Sequence, residues 1–500
     1  MVNDKRGQGK IQFGTYLKWI GDVVKSNFTT SPKKKGVNMK QTTWTTYTHE
    51  QMQELKDITE RYKSCLDAGK TERECVELSV HMAEKAGYRD LKEVMAAGEK
   101  LKAGDKIYAV NMDKMLALFR IGEEPLSAGM NILGAHIDSP RIDVKQNPLY
   151  ENEGFAYLDT HYYGGIKKYQ WVAQPLSLHG VIVKKDGTVQ KVVIGEEEDD
   201  PVFVITDLLV HLAQEQLEKK ASKVIDGEKL DLLIGNCPLD GAVEDKEQKE
   251  AVKANILKLL KNKYDMDEED FSSAELEIVP AGRARDCGMD RSMILSYGQD
   301  DRVCAFTSLF AMLDVTEAKK TGCCLLVDKE EIGSVGATGM HSRFFENTVA
   351  ELVAMTEGES ELKVRRALMN SRMLSSDVSA AYDPMFAEAF EKRSSAFFAK
   401  GITFNKFTGS RGKSGSNDAN AEYIAALRKA MDDAGVAYQF AELGRVDLGG
   451  GGTIAYIMAN YGMEVIDSGV AVLNMHAPYE VSSKADVYEA VKGYRAFLRM

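Results

Sequence analysis

Five short apolar runs in this sequence stop at side chains able to hold a metal ion. "NILGAHID" ends in His136 and Asp138, "MILSYGQDD" in Asp300 and Asp301, and "CCLLVDKEE" in Glu330 and Glu331. "SRMLSSD" ends in Asp377 and "GVAVLNMH" in His476. Bounded apolar runs of this length read as buried strands. One strand ending in an acid is ordinary; this set of endings constrains the fold. In an open α/β sheet the C-terminal strand ends share one edge, where ligands bind. The chain is therefore expected to gather these residues into one cleft. The spacing agrees, because Asp300 to Glu330 encloses the helical pattern "DRVCAFTSLFAMLDVTEAKKTG" and Glu330 to Asp377 encloses "RFFENTVAELVAMTEG". Each interval is the size of one βαβ unit.

With 500 residues, 44% of them hydrophobic, the chain can bury a large core. A formal net charge of −12 argues against nucleic acid or an anionic membrane as the main partner. Seven cysteines without a CxxC pair read as reduced thiols, which places the protein in the cytoplasm. No apolar stretch of about 20 residues suggests a membrane span.

The reading is α/β, a mainly parallel central sheet flanked by helices, with a β-rich insert. Residues 1–38 are basic and acid-poor, and 1–44 are set aside as a leader, a targeting or a non-native segment. A catalytic part is expected over 45–141 and 292–500. It opens with two helices, "THEQMQELKDITERYKSCLDAG", stopped by Gly69, and "ERECVELSVHMAEKAG". The insert spans 142–291 and contains a hairpin, "VIVKKDGTVQKVVIG", turned at Asp-Gly. A helix is expected over "DLLVHLAQEQLEKKA".

Nitrogen and carboxylate donors without thiolate suit zinc, with cobalt or manganese as alternatives. A bridging carboxylate with two donors on each side holds two metals about 3.5–4 Å apart and activates a bridging hydroxide. A further carboxylate must then move the proton from water to the leaving amine. Adjacent glutamates at 330 and 331 can divide these tasks, one ligating and one facing the water. Asp138, two residues beyond His136, falls on the same side of an extended backbone and can hold the other imidazole N–H.

The motifs "GAHIDSP", "YGQDDRVCAF", "DKEEIGSVGATG", "SSDVSAAYDP" and "MHAPYEVSS" together resemble the aspartyl aminopeptidase and vacuolar aminopeptidase I family of two-metal aminopeptidases, over residues 45 to 500. The resemblance implies two divalent metals per subunit. Asp300 would bridge them, His136 and Asp377 would complete one site, and Glu331 and His476 the other. Glu330 would be the general base and Asp138 would orient His136. It also implies that the insert dimerises and that dimers assemble into dodecamers, enclosing a cavity that takes short peptides. Asp301 stands where the aspartyl branch usually has asparagine. Either Lys406 or Asn405 falls at the position of that branch's acid-binding lysine, so both an acidic and a neutral or hydrophobic first residue stay open.

In "VDLGGGGTIAYIMANYG" the glycines lack the pattern of a phosphate loop, and Gly451, Gly452 and Thr453 are read as lining the cleft. His161 is a candidate to reach a neighbouring subunit's site. His81, His179, His211, His341, Cys323 and Cys324 are assigned to structure. Two rivals share the metal layout: a di-metal deacylase or carboxypeptidase, and a non-catalytic assembly protein on the same fold.

Overall fold

The computed structural model describes residues 42–240, 250–409 and 414–500; most of the expected leader lies outside them. The first helix, His49–Ala68, begins at a reciprocal cap. The Thr48 hydroxyl accepts from the Gln51 N–H, while the Gln51 side chain accepts from the Thr48 N–H. Gly69 ends it, as the sequence predicts. The helix buries Leu55, Ile58, Tyr62 and Leu66 in a core shared with Gln299–Asp314 and Lys484–Leu498. Almost every residue of Gln299–Asp314 is buried, because the helix lies between the central sheet and other helices. No helix among the described residues is long and apolar enough to cross a membrane.

The central sheet has nine strands. Its middle four, Thr321–Val327, Met130–His136, Arg372–Ser376 and Glu464–Gly469, are neighbours in that order and run parallel. The flanks are mixed. Met115–Arg120 joins antiparallel on one side and Ile402–Asn405 antiparallel on the other. The four middle strands are almost entirely buried, as runs of parallel strands generally are.

Two predicted strands belong elsewhere. Met293–Ser296 and Ala471–Leu473 pair within a separate five-stranded sheet, and Asp300 and Asp301 lie in the first turn of the helix that follows. A third sheet of six strands is antiparallel throughout and takes all its strands from 141–280, including the hairpin Leu176–Val183 and Val189–Ile194. The helix expected over "DLLVHLAQEQLEKKA" is absent as such: only short turns at Val210–Leu212 and Gln214–Leu217 form. Leu208, Leu209, Val210 and Leu212 are exposed there, so no core packs against the apolar stripe that would have stabilised a helix.

A buried polar seam joins the six-stranded sheet to the first helices. His179 lies 2.9 Å from Glu74 Oε1 and 3.0 Å from Glu196 Oε1, and the Lys70 ammonium donates to Glu196 at 2.6 Å. Burial alone would lower the His179 pKa, but Glu196 and Glu74 outweigh it and raise it. A group whose native pKa is raised stabilises fully below its unfolded value, about 6.5, and loses that contribution as pH rises through the native value. The drop in unfolding midpoint caused by His179→Gln should therefore be largest below about pH 6.5 and shrink on raising the pH. A drop independent of pH would show that the ring is neutral in the fold.

Candidate metal centre

Three of the five predicted runs end side by side. The parallel strands Thr321–Val327, Met130–His136 and Arg372–Ser376 deliver Glu330 and Glu331, His136, and Asp377 to one edge. Asp300 and His476 reach the same place from the five-stranded sheet, by way of a helix start and a loop. Strand ends of one sheet therefore account for only part of the cluster; a second sheet abutting the edge supplies the rest.

The donor atoms fall into two groups. His476 Nε2 lies 3.0 Å from Asp300 Oδ2 and 3.5 Å from Glu331 Oε1. One donor atom from each of these three residues falls within 4.8 Å of the others, a spacing a single cation can span. On the other side His136 Nε2 lies 3.6 Å from Asp377 Oδ1.

Backbone of unusual shape makes this convergence. Lys329, just before the glutamates, has φ 69°, and His476 has φ 65°, in the left-handed region that costs a non-glycine residue free energy. Gly298, with φ 68°, begins the helix that carries Asp300; a Cβ there would stand 2.0 Å from Arg302 Nη1, so any other residue would add backbone strain and displace that guanidinium. The buried Glu480 carboxylate fixes both main chains. Its Oε2 accepts from the N–H groups of Gln299 at 2.6 Å and Asp300 at 2.9 Å, and its Oε1 accepts from His476 N–H at 2.7 Å.

Asp138 works in the same way on the other half. Its carboxylate accepts from the N–H of Glu330 and of Glu331, each at 3.1 Å, and from the Tyr163 hydroxyl at 2.8 Å. His136 Nδ1 lies 3.4 Å from Asp138 and 3.3 Å from Asp301, so the partner expected of Asp138 alone is shared. Asp301 is itself held by the Ser139 hydroxyl.

Burial, with the charges of Asp377, Asp138 and Asp300, pushes the Glu330 carboxyl up to about 8. Burial likewise raises Asp301 to about 7, with the charge of Asp300 beside it. For His476 burial works downward, yet Asp300 and Glu331 lift it to about 11. Carboxylates thus outnumber cationic groups in a nearly dry place. Glu331 Oε1, the atom that faces His476, is buried without a hydrogen-bond partner among the described residues. An unpaired buried acceptor beside clustered carboxylates is a condition a divalent cation relieves. Oxygen and imidazole donors without thiolate fit zinc.

The cluster opens into a cleft of about 720 Å³. Gly451, Gly452 and Thr453 line it as expected. Lys406 does not: it is exposed, its ammonium 4.9 Å over the Phe407 ring, while the preceding Asn405 faces the cleft. Alternation of side chains along an extended backbone puts neighbours on opposite faces. His161 is exposed and turned to the Tyr162 carbonyl, outside the cleft of its own chain. Sequence reasoning missed Glu480, Tyr163 and the Gly165 carbonyl, which lies 3.0 Å from His476 Nδ1. Glu480 stood inside the quoted "MHAPYEVSS" motif; Tyr163 and Gly165 carried no signal of their own.

A sequence profile described as "Aminopeptidase I zinc metalloprotease (M18)" matches residues 65–498. A "Probable M18 family aminopeptidase 1" of Clostridium acetobutylicum is 62% identical over 455 residues, 91% of this chain and 97% of that protein. The crystal structure of aminopeptidase I from the same organism superposes with a TM-score of 0.85 at 60% identity, covering 92% of this chain and 99% of that one. A yeast mApe1 solved as a dodecamer shares the fold at 21% identity, with a TM-score of 0.70 and coverage of 88% and 96%. The chain is thus a peptidase, and it belongs to the aminopeptidase I zinc metalloprotease family, M18.

Proposed function

We propose that the protein removes single residues from the free N-terminus of short peptides at a pair of divalent metals, zinc in the first instance. The observation that carries this reading is the convergence of His136 with Asp377, and of Asp300 with Glu331 and His476, beside the half-buried Glu330 in the lining of one cleft. Asp300 would be shared between the two ions, with His136 and Asp377 holding one and Glu331 and His476 the other. Bound metal would polarise the scissile carbonyl and acidify water at the site.

The chain's own groups do the remainder. Glu330, in the lining of the cleft beside the ligand set, takes a proton on its carboxylate and returns it to the leaving amine. Asp138 holds the Glu330 and Glu331 backbone so that one glutamate faces the metals and the other the substrate. Gly451, Gly452 and Thr453 let the peptide backbone approach closely.

Val378, Asn405, Phe407, Leu443 and Met475 also line the cleft, whereas Lys406 does not. Among the described residues the permanent cation in this lining is Arg445, whose guanidinium is engaged by the Glu388 carbonyl. This lining supports a neutral or hydrophobic first residue over an acidic one. The six-stranded region over 142–291 is assigned to dimerisation, supported by the exposed apolar residues at 208–212, and a homo-oligomer up to the dodecamer of the yeast relative follows. His161, on that region, remains a candidate contact to a neighbour's cleft. Seven unbridged cysteines support a reducing compartment such as the cytoplasm.

The zinc-loaded protein should release free amino acids from unblocked peptides, leave N-acetylated ones intact, and stop on chelation. Cleavage of blocked peptides would favour a deacylase or carboxypeptidase, and no cleavage by fully loaded protein would favour a non-catalytic scaffold. Leu-initiated peptides should outpace Asp-initiated ones; the reverse order would overturn the assigned lining. Glu330→Gln should keep its metal and lose at least about 100-fold in kcat, the scale of general acid–base catalysis. Glu480→Gln puts an amide N–H against backbone donors, so zinc affinity measured against a competing chelator should fall about 10- to 100-fold.

A further inference from the structure

Tyr163 closes the strand Phe155–Tyr163, in the six-stranded sheet and outside the strands that carry the metal-binding candidates. Its hydroxyl is the third donor to the Asp138 carboxylate, at 2.8 Å, after the N–H groups of Glu330 and Glu331. The ring is held in turn. The Arg141 guanidinium stacks on it at 3.9 Å, and Arg141 is fixed by Asp143 at 2.7 Å, Glu72 at 3.0 Å and Glu277 at 3.1 Å. Burial and the charge of Asp138 hold the phenol well above its ordinary pKa, so it stays an O–H donor.

The next two residues touch the other half of the site. Gly164 has φ 74°, and a Cβ there would stand 3.1 Å from Glu331 Oε2 and 3.3 Å from Glu331 Cβ. The Gly165 carbonyl accepts from His476 Nδ1 at 3.0 Å. A proton held on Nδ1 leaves the Nε2 lone pair directed at Asp300 and Glu331.

Resting on the metallopeptidase reading above, we infer that Tyr163, Gly164 and Gly165 form a positioning segment through which the six-stranded sheet sets both halves of the catalytic centre. Tyr163 acts through Asp138 on the backbone that carries Glu330. Gly164 leaves room for Glu331, and Gly165 selects the ligating tautomer of His476. The six-stranded region is thereby part of the active site of its own chain, whatever it does in assembly.

The test uses the full-length, zinc-loaded protein. Tyr163→Phe removes one oxygen from a packed ring. It should lower kcat about 10- to 100-fold, the usual cost of losing a group that orients a ligand or base, with KM within about threefold and zinc content unchanged. In an Asp138→Asn background the same change should cost less than about threefold, because its effect passes through that carboxylate. An unaltered kcat, or losses that simply multiply in the double variant, would overturn the role of Tyr163. Gly164→Ala should reduce bound zinc after dialysis; full zinc content together with unaltered kcat would overturn the role of Gly164. Glu330→Gln separates the two levels. If Glu330→Gln turns over normally the metallopeptidase reading fails; if it is inactive while Tyr163→Phe is fully active, only this inference fails.

Discussion

Like charges forced together under cover are what the rest of this structure is organised to tolerate. Asp138, Asp300, Asp301, Glu330, Glu331 and Asp377 meet beside two imidazoles, most of them buried. Two unit charges about 4 Å apart repel by about 4 kcal/mol at an effective dielectric of 20. The protein offsets this with oriented N–H groups. Glu480 and Asp138 each collect backbone donors, and each donor belongs to a residue of the cluster or its neighbour. The same hydrogen bonds that soften repulsion therefore also set geometry. A divalent cation would complete the balance, which is why the ligand set of a zinc peptidase family is compatible with so dry a site.

That arrangement explains features of the fold that look unrelated. The left-handed Lys329 and His476 and the glycine at 298 are strained or residue-restricted turns, and each lies next to a member of the cluster. Strain of this kind persists only where surrounding contacts over-determine it. Here the contacts come from three sheets. The central sheet brings three strand ends, the five-stranded sheet brings Asp300 and His476, and the six-stranded sheet closes the far side through Tyr163 and Gly165. The seam of Lys70, Glu74, His179 and Glu196 then holds the last of these sheets against the first helices.

Much of this was legible in the order of residues. Apolar runs of strand length ending in His, Asp and Glu were readable because burial and metal chemistry both restrict residue type, and the end of the first helix because Gly69 acts locally. The false helix near 208–217 shows the limit. Its apolar spacing is helical, but no surface packs against it, and periodicity alone does not report what lies opposite. The choice between Lys406 and Asn405 was equally out of reach, because spacing admits both and only strand register picks the side that faces the cleft.

The sequence by itself determined the available chemistry: which side chains are present, imidazoles and carboxylates, with two glutamates adjacent at 330 and 331. Composition and motif order suffice for that, because donor type is a property of single residues. The tertiary structure decided who holds whom. Asp138 sharing His136 with Asp301, Glu480 gripping two main chains, and a tyrosine from another sheet completing the Asp138 carboxylate are contacts between residues up to 181 positions apart. Hydrogen-bond geometry depends on sub-ångström placement across packed sheets, and no local pattern in a chain encodes it.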